Sequence, residues 1–372
     1  MRIILAPDKY KGSITGLEFC NIIEPVLRNH FDAEIIRLPM ADGGDGTIEV
    51  IDFYLSGQTI KTKVSDPLFR TIEASYLFSD ASKTAFIEMA EASGLKLLKL
   101  EDQNCMSTTS FGTGELILHA LDKGAQHIIL GIGGSATNDC GIGMASALGY
   151  QFFDERNNQI TPIGRNLAKV NRIDDSQVEK RLAKVKIQIA CDVKNPLYGP
   201  QGAAYIYGKQ KGANLSEIMD LDSGLHNVSS VIDHHFGLKT QDIIGAGAAG
   251  GMGAGTVAFL NGELIPGIEL MMQIADFEKK VEGADWIISG EGRLDDQTLS
   301  GKAMSGIIKL AQKHNIKVAS FCGSTDLDSN EISEMGINYS STIMDKANSL
   351  DDALENTKLY LEQLVEDFIS SL

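Results

Sequence analysis

The sequence predicts an α/β protein of two domains, and three observations predict it. Short apolar runs alternate with helical stripes near both ends of the chain. At 372 residues, 43% of them hydrophobic, the chain exceeds the ~100–200 residues of one domain and can bury roughly 75% of its unfolded surface. Polar, glycine-containing segments follow the predicted strands, which is where open parallel sheets bind ligands.

The elements follow in order. Arg2–Ala6 is a continuous apolar run, as in a strand covered on both faces. Thr15 and Glu18 form a capping-box pair ahead of Phe19, Ile22, Ile23, Val26 and Leu27, which share one helical face. Glu34–Leu38 reads as the next strand, completing a parallel βαβ spacing. Thr84–Met89, His127–Gly131 and Val185–Cys191 read as strands of the middle region. Toward the C-terminus come a strand at Ala284–Ser289, a helix at Gly301–His314 and strands at Lys317–Cys322 and Tyr339–Ile343. The chain ends in an amphipathic helix from Leu350, with Leu354, Leu361, Val365, Phe368 and Leu372 on one side. Joining the two ends in one sheet gives a discontinuous domain, 1–75 plus 265–372, and a second domain, 76–264.

Charge narrows the partners. Thirty-three Lys and Arg against 50 Asp and Glu leave a net charge of −17, a field that repels nucleic-acid phosphates and anionic lipid. Five widely spaced cysteines with no C-x-x-C argue against a disulfide framework or zinc ribbon and for a reducing, cytoplasmic setting. The uncharged stretch Ile243–Gly262 has the length of a membrane span, but seven of its twenty residues are glycine, so a buried loop and helix is the expectation. The start Met1-Arg2-Ile3-Ile4-Leu5-Ala6-Pro7-Asp8 reaches a proline and an acid too soon for a secretory apolar core.

Five segments carry the chemistry. Asp8, Lys9, Lys11 and Ser13 lie between the first strand and its helix, where ammonium and N–H groups can meet an anion. Asp42-Gly43-Gly44-Asp45-Gly46 pairs two carboxylates with glycines that let a ligand or metal approach the backbone. Gly131-Ile132-Gly133-Gly134-Ser135-Ala136-Thr137-Asn138-Asp139 fits the loose dinucleotide pattern G-x-G-x-x-A, with Asp154 as the distant acid, and reads better as a cradle of N–H groups for phosphate or magnesium. Cys191-Asp192-Val193 places an acid at a strand end, to hold a metal or take a hydroxyl proton. Ser289-Gly290-Glu291-Gly292-Arg293-Leu294-Asp295 clusters acids and a cation in the loop expected after the Ala284 strand. Gly245-x-Gly247-x-x-Gly250 repeats the dinucleotide spacing but reads equally as tight glycine packing. No H-E-x-x-H, G-x-S-x-G, Walker A or protein-kinase motif occurs.

Taken together, these segments resemble the bacterial glycerate kinase family that forms 2-phosphoglycerate. The matching stretches are 6–13, 41–47, 111–115, 133–139, 191–197, Gln210-Lys211-Gly212-Ala213, 245–251 and 290–298, in family order. Three departures stand out: Asp45 where the family often has Glu, Cys140 where Gly is usual, and Lys209 where Pro is usual.

The resemblance implies two unlike α/β domains, one flavodoxin-like and one loosely like restriction endonucleases, with the active cleft between them. It implies ATP- and Mg2+-dependent phosphoryl transfer to D-glycerate. Asp192 is then the expected base or metal ligand, with Asp42 its rival and Lys11 a catalytic cation. Asp8, Ser13, Gly43, Gly44, Asp45, Arg293 and Asp295 are expected at the substrate. Gly133, Gly134, Ser135, Thr137 and Asn138 are expected around the ATP phosphates, and Asp139, Asp192 and Glu291 at the metal. Two other readings are an NAD-dependent oxidoreductase acting on a small hydroxy acid, from the two glycine patterns, and a non-catalytic sensor on the same scaffold.

Overall fold

The computed structural model describes residues 1–41, 47–295 and 303–372. Its strands are β1 (Arg2–Leu5), β2 (Glu34–Arg37), β3 (Gln58–Ser65), β4 (Thr71–Ser79), β5 (Thr84–Glu88), β6 (His127–Gly131), β7 (Gln151–Phe153), β8 (Arg172–Asp174), β9 (Lys186–Ala190), β10 (Glu263–Ile265), β11 (Trp286–Leu294), β12 (Lys317–Thr325) and β13 (Tyr339–Thr342). The chain divides into two compact units, Met1–Tyr54 with Gly267–Leu372, and Leu55–Pro266.

The first unit is built on a parallel sheet ordered β13-β12-β11-β1-β2. Counted along the chain within this sheet, the order is 2-1-3-4-5, so the direction of winding reverses between β1 and β11. The strands are short and apolar because both faces are covered; Ile3, Ile4, Leu5, Ile287 and Ile288 are fully buried. The first helix, Gly16–His30, carries the capping box at Thr15 and Glu18 and buries Phe19, Ile23 and Leu27, while Ile22 and Val26 pack at the edge of the core. The terminal helical region is two helices, Leu350–Glu355 and Thr357–Ser371, broken at Asn356. The break turns Leu354 toward solvent, and Leu372 at the chain end is exposed; Leu361, Val365 and Phe368 stay in the core.

β11 is longer than the expected strand. It runs through Gly290, Glu291, Gly292 and Arg293, so these residues are strand rather than the loop closing it. The cause is register: β12 continues beside it, pairing Glu291 with Cys322 and Arg293 with Ser324. Local glycine content argued the other way and was overridden by the neighbouring strand.

The second unit holds a sheet ordered β10-β9-β6-β5-β4-β3, parallel from β10 to β5 and antiparallel through β4 and β3. β3 and β4 pair along their full length, Gln58 opposite Phe78 through Ser65 opposite Thr71. The chain therefore passes into this unit after Tyr54, ahead of the expected crossing at residue 75. The stretch 243–262 contains a buried helix, Ala248–Leu260, entered through Ala249, Gly250 and Gly251 at positive φ. Among the described residues no helix is long and apolar enough to cross a membrane.

Candidate active-site residues

In the first unit the expected residues gather where the winding reverses, the place at which open parallel sheets leave room for a ligand. Asp8 extends the β1–β11 pairing by donating its N–H to the Gly290 carbonyl at 2.8 Å, and its carboxylate accepts the Lys9 N–H at 2.7 Å. Tyr10 is buried and donates to the Phe321 carbonyl, which pins this segment to β12. A side chain at Gly290 would overlap that same carbonyl and the Tyr10 hydroxyl, so the strand must carry glycine there. Burial pushes the Tyr10 hydroxyl well up, and the negative charge of Glu291 adds to it. Lys11 is exposed just beyond, its backbone nitrogen lying close to where a Gly292 side chain would point.

Two residues of this group have other partners. Ser13 Oγ lies 2.6 Å from Thr357 Oγ1, whose own proton goes to the Ala353 carbonyl at 2.7 Å. Ser13 is therefore the donor and ties its loop to the terminal helix. Arg293 is exposed and ion-paired with Asp326; Asp295 lies near it. Asp42, Gly43, Gly44 and Asp45 lie outside the described residues.

In the second unit three motifs converge at the carboxyl ends of β6 and β9. Gly133 and Gly134 form an exposed turn, Gly134 at φ +68°, and a side chain at Gly133 would meet nothing within 4 Å. Among the described residues no backbone acceptor takes the N–H of Gly133 or Gly134. From Ser135 onward the loop dives inward. The Gly-rich helix entry packs on it: a side chain at Gly250 would overlap the Thr137 carbonyl, and one at Gly255 the Cys140 carbonyl. Gly247 meets the Pro196 carbonyl in the same way, bringing in the segment that follows Asp192. Asp192 itself is exposed at the end of β9.

Asp139, expected at the metal, is enclosed by the loop around it. It is fully buried, and its two oxygens accept from Ser110 N–H (2.7 Å), Ser110 Oγ (2.8 Å), Gly141 N–H (3.2 Å) and Gly143 N–H (3.3 Å). Oδ2 takes three of these donors and Oδ1 only the Gly141 N–H. Burial raises its pKa against those bonds, which lower it. The residue anchors the loop. Among the described residues no group of three or more His, Cys, Asp or Glu side chains is set to hold a metal.

Asn138 is different. It is 0% exposed, yet neither its amide oxygen nor its nitrogen has a protein partner, and Thr137 Oγ1 is in the same condition. Each such group costs about 1–3 kcal/mol unless water or a ligand answers it. Two further groups belong to this loop. Lys211, only 3% exposed, donates from Nζ to Ser135 Oγ and to the Thr137 carbonyl, both at 2.7 Å. Arg165 is exposed and bonded to Ser107 Oγ, next to Gly164, which packs on the Asn138 carbonyl. Lys211 sits in the quoted 210–213 stretch, but a lysine gives no sign of burial in a bare sequence.

The dinucleotide reading loses its structural basis here. After Gly134 no helix opens until Ile142, and that helix is six residues long, whereas the fingerprint needs a helix starting at the glycine turn. Asp154 caps a surface turn, accepting from Arg156 and Asn158 N–H groups at 2.8 Å. The glycines of 245–251 are taken up by backbone packing.

Comparison with known proteins gives a consistent result. Residues 3–372 match the family described as Glycerate kinase family. The chain is 44% identical to a glycerate kinase of Halalkalibacterium halodurans, over 97% of this chain and 95% of that one. It is 42% identical to the glycerate 2-kinase of Escherichia coli, over 95% and 93% of the two chains. A crystal structure described as a putative glycerate kinase 2 from Salmonella typhimurium LT2 superposes with a TM-score of 0.88 at 39% identity, covering 100% of this chain and 98% of that one.

Proposed function

The chain belongs to the glycerate kinase family, and on that footing we propose that it transfers the terminal phosphoryl group of ATP to the C2 hydroxyl of D-glycerate. The products are 2-phosphoglycerate and ADP. The observation that carries the nucleotide half is the exposed Gly133–Gly134 turn, with unanswered N–H groups, standing over the buried, unpartnered Asn138 amide.

Phosphoryl transfer asks little covalent work of a protein. Charge spreads over the oxygens of the moving group, and donors already in place stabilise it. We assign Gly133, Gly134, Ser135, Thr137 and Asn138 to the ATP phosphates. Asp192, exposed at a strand end, takes the role of base toward the glycerate hydroxyl or of metal ligand, with Asp42 its rival. Lys11 and Arg293 are the cations for the glycerate carboxylate; Asp8 and Asp295, with Gly43, Gly44 and Asp45, are assigned to its hydroxyls. Magnesium fits this donor set, since it commonly takes one or two carboxylates together with phosphate oxygens and water. Asp192 in the second unit and Glu291 in the first are each assigned as a candidate carboxylate for it, and the ion would supply neutralisation of phosphate charge. We assign Asp139 instead as the anchor of its loop, a reading supported by its four hydrogen bonds.

The C2 position is supported by the name of the Escherichia coli relative. The 2-1-3-4-5 order of the first sheet supports a flavodoxin-like assignment for that unit; the second we assign as loosely restriction-endonuclease-like. A cytoplasmic setting is supported by five unpaired cysteines.

The test is a reaction of ATP, magnesium and D-glycerate with the product offered directly to enolase. Immediate consumption is expected; a product that enolase takes only after a mutase would overturn the C2 assignment. In Asp192→Asn, turnover should fall at least about 100-fold, and unchanged turnover would remove Asp192 from the mechanism. Bound nucleotide with no turnover on any small hydroxy acid would instead favour the non-catalytic sensor.

A further inference from the structure

We propose that Lys211 is the positioning cation of the phosphate-binding loop, holding Ser135 and Thr137 from beneath so that the Gly133–Gly134 turn meets a phosphate chain over a buried positive charge. The inference rests on the assignment of that loop to the nucleotide.

The geometry is built from the side away from solvent. Lys211 ends a short 3-10 turn, Lys209–Lys211, and Gly212 follows at φ +86°. Its backbone is pinned, because its carbonyl accepts the Cys105 N–H at 3.0 Å and a side chain at Gly212 would overlap the Gln103 carbonyl. From this fixed base the side chain reaches two acceptors of the loop, Ser135 Oγ and the Thr137 carbonyl. Both acceptors are neutral. The nearby acid, Asp139, has its oxygens on Ser110, Gly141 and Gly143, and the Cys105 thiol is pushed up to about 11 by burial and stays uncharged near neutrality. The ammonium is thus buried with no carboxylate among its bonded partners.

Such a charge is costly to keep, and burial lowers the Lys211 pKa to about 8. Holding these two acceptors would be served by a neutral donor as well. A cation under a turn with unanswered N–H groups is instead suited to an incoming anion. The same turn offers Gly133 and Gly134 for contact while Lys211 supplies field, a division of labour between donor and charge.

The experiment measures binding of ADP and of inorganic tripolyphosphate by calorimetry, with Michaelis constants for ATP and D-glycerate. In Lys211→Met, which keeps length and loses charge, affinity for both probes should fall at least about tenfold. KM for ATP should rise in step, and KM for D-glycerate should move less than twofold. In the unmodified protein, affinity for ADP, whose phosphate charge is constant in this range, should fall as pH rises from 7.5 to 9.5, a slope absent from Lys211→Met.

That slope keeps the inference testable even if Lys211→Met fails to fold, and its absence in the native protein would overturn the inference. Unchanged tripolyphosphate affinity in a folded Lys211→Met would overturn it too. Gly133→Val separates the two levels, since a side chain there meets nothing within 4 Å. If Gly133→Val binds ADP as well as the native protein, the nucleotide assignment of the loop is wrong and the role of Lys211 falls with it. If Gly133→Val weakens ADP and Lys211→Met does not, only the role of Lys211 fails.

Discussion

Replacing Asp139 by Asn tests whether this residue is an anchor or a metal ligand. The native carboxylate serves four donors: Oδ2 takes Ser110 N–H, Ser110 Oγ and Gly143 N–H, and Oδ1 takes Gly141 N–H. An amide offers one oxygen only. In its better orientation the oxygen replaces Oδ2 and the NH2 faces the Gly141 N–H, so two donors oppose each other in a site with no exposure. Losing that bond and stranding a buried donor costs about 1–3 kcal/mol, and the three remaining bonds weaken once the acceptor is neutral. Relief of the buried charge offsets part of this, since burial disfavours the ionised form. The net expectation is a loss of about 2 kcal/mol, or ~5 °C in the melting temperature of a unit this size.

The assay must see the right unit. The single tryptophan, Trp286, lies in the first unit, so its fluorescence is the control and far-UV circular dichroism follows the change. Hydrogen exchange over peptides spanning 107–112 and 139–146 should show lost protection at Gly141 and Gly143. The magnesium concentration for half-maximal rate should not move. Native stability and exchange combined with a shifted magnesium requirement would refute the anchor and restore Asp139 to the metal.

Three other outcomes follow from the structure. Gly250→Ala puts a side chain into the Thr137 carbonyl at φ +74°, backbone against backbone, and should cost more than about 3 kcal/mol in urea unfolding, whereas Gly237→Ala, at φ +69° in open space, should cost about 1–2 kcal/mol; equal effects would mean that φ alone matters. Lys211 titrates near pH 8 in the folded chain against 10.5 ordinarily, so the cost of burying its charge is present below pH 8 and is relieved as pH rises from 8 to 10.5. Stability should gain up to about 3 kcal/mol over that window relative to Lys211→Met, and parallel profiles for the two proteins would contradict the burial. Tyr10→Phe removes the donor to the Phe321 carbonyl and should lower stability by about 1–2 kcal/mol, read by Trp286 fluorescence; an unchanged midpoint would show that the bond adds nothing net.

Strands buried on both faces were the most legible part of the fold. β1 and β6 are uninterrupted apolar runs, and the Thr15–Glu18 box marked the first helix because its chemistry is local. What failed depended on neighbours. β3, with Lys61 and Lys63 among threonines, is an edge strand with little buried surface, so its sequence carries a weak signal and the crossing between units was misplaced. The extension of β11 through Gly290–Arg293 is imposed by β12. The helix Leu215–Phe236 was overlooked although Asn214 and Glu217 form a capping box that the sequence displays. At the site, the glycine turn at 133–134 was readable as a ligand loop, but the number of donors around Asp139 was not. Residue type suggests a metal ligand; only the folded chain shows the donors gathered around it.

The glycines of the second unit fall into two physical classes, and this decides which spacing means function. At Gly247, Gly250, Gly253 and Gly255 a side chain would overlap a carbonyl oxygen of Pro196, Thr137, Gly245 or Cys140. These positions exist so that three loops can touch, and their spacing reflects packing. At Gly133 the space is empty, and an open glycine with unanswered N–H groups is what an approaching anion needs. The pattern G-x-G-x-x-G cannot distinguish the two, which is why both matches looked alike as text. Cys140 belongs with the first class. It is fully buried at φ +52°, a conformation glycine adopts without strain, and its carbonyl is covered by Gly255. A glycine at that point would meet the same backbone requirement at lower conformational cost, so Cys140 belongs to the packing class and leaves the ligand turn at Gly133–Gly134 untouched.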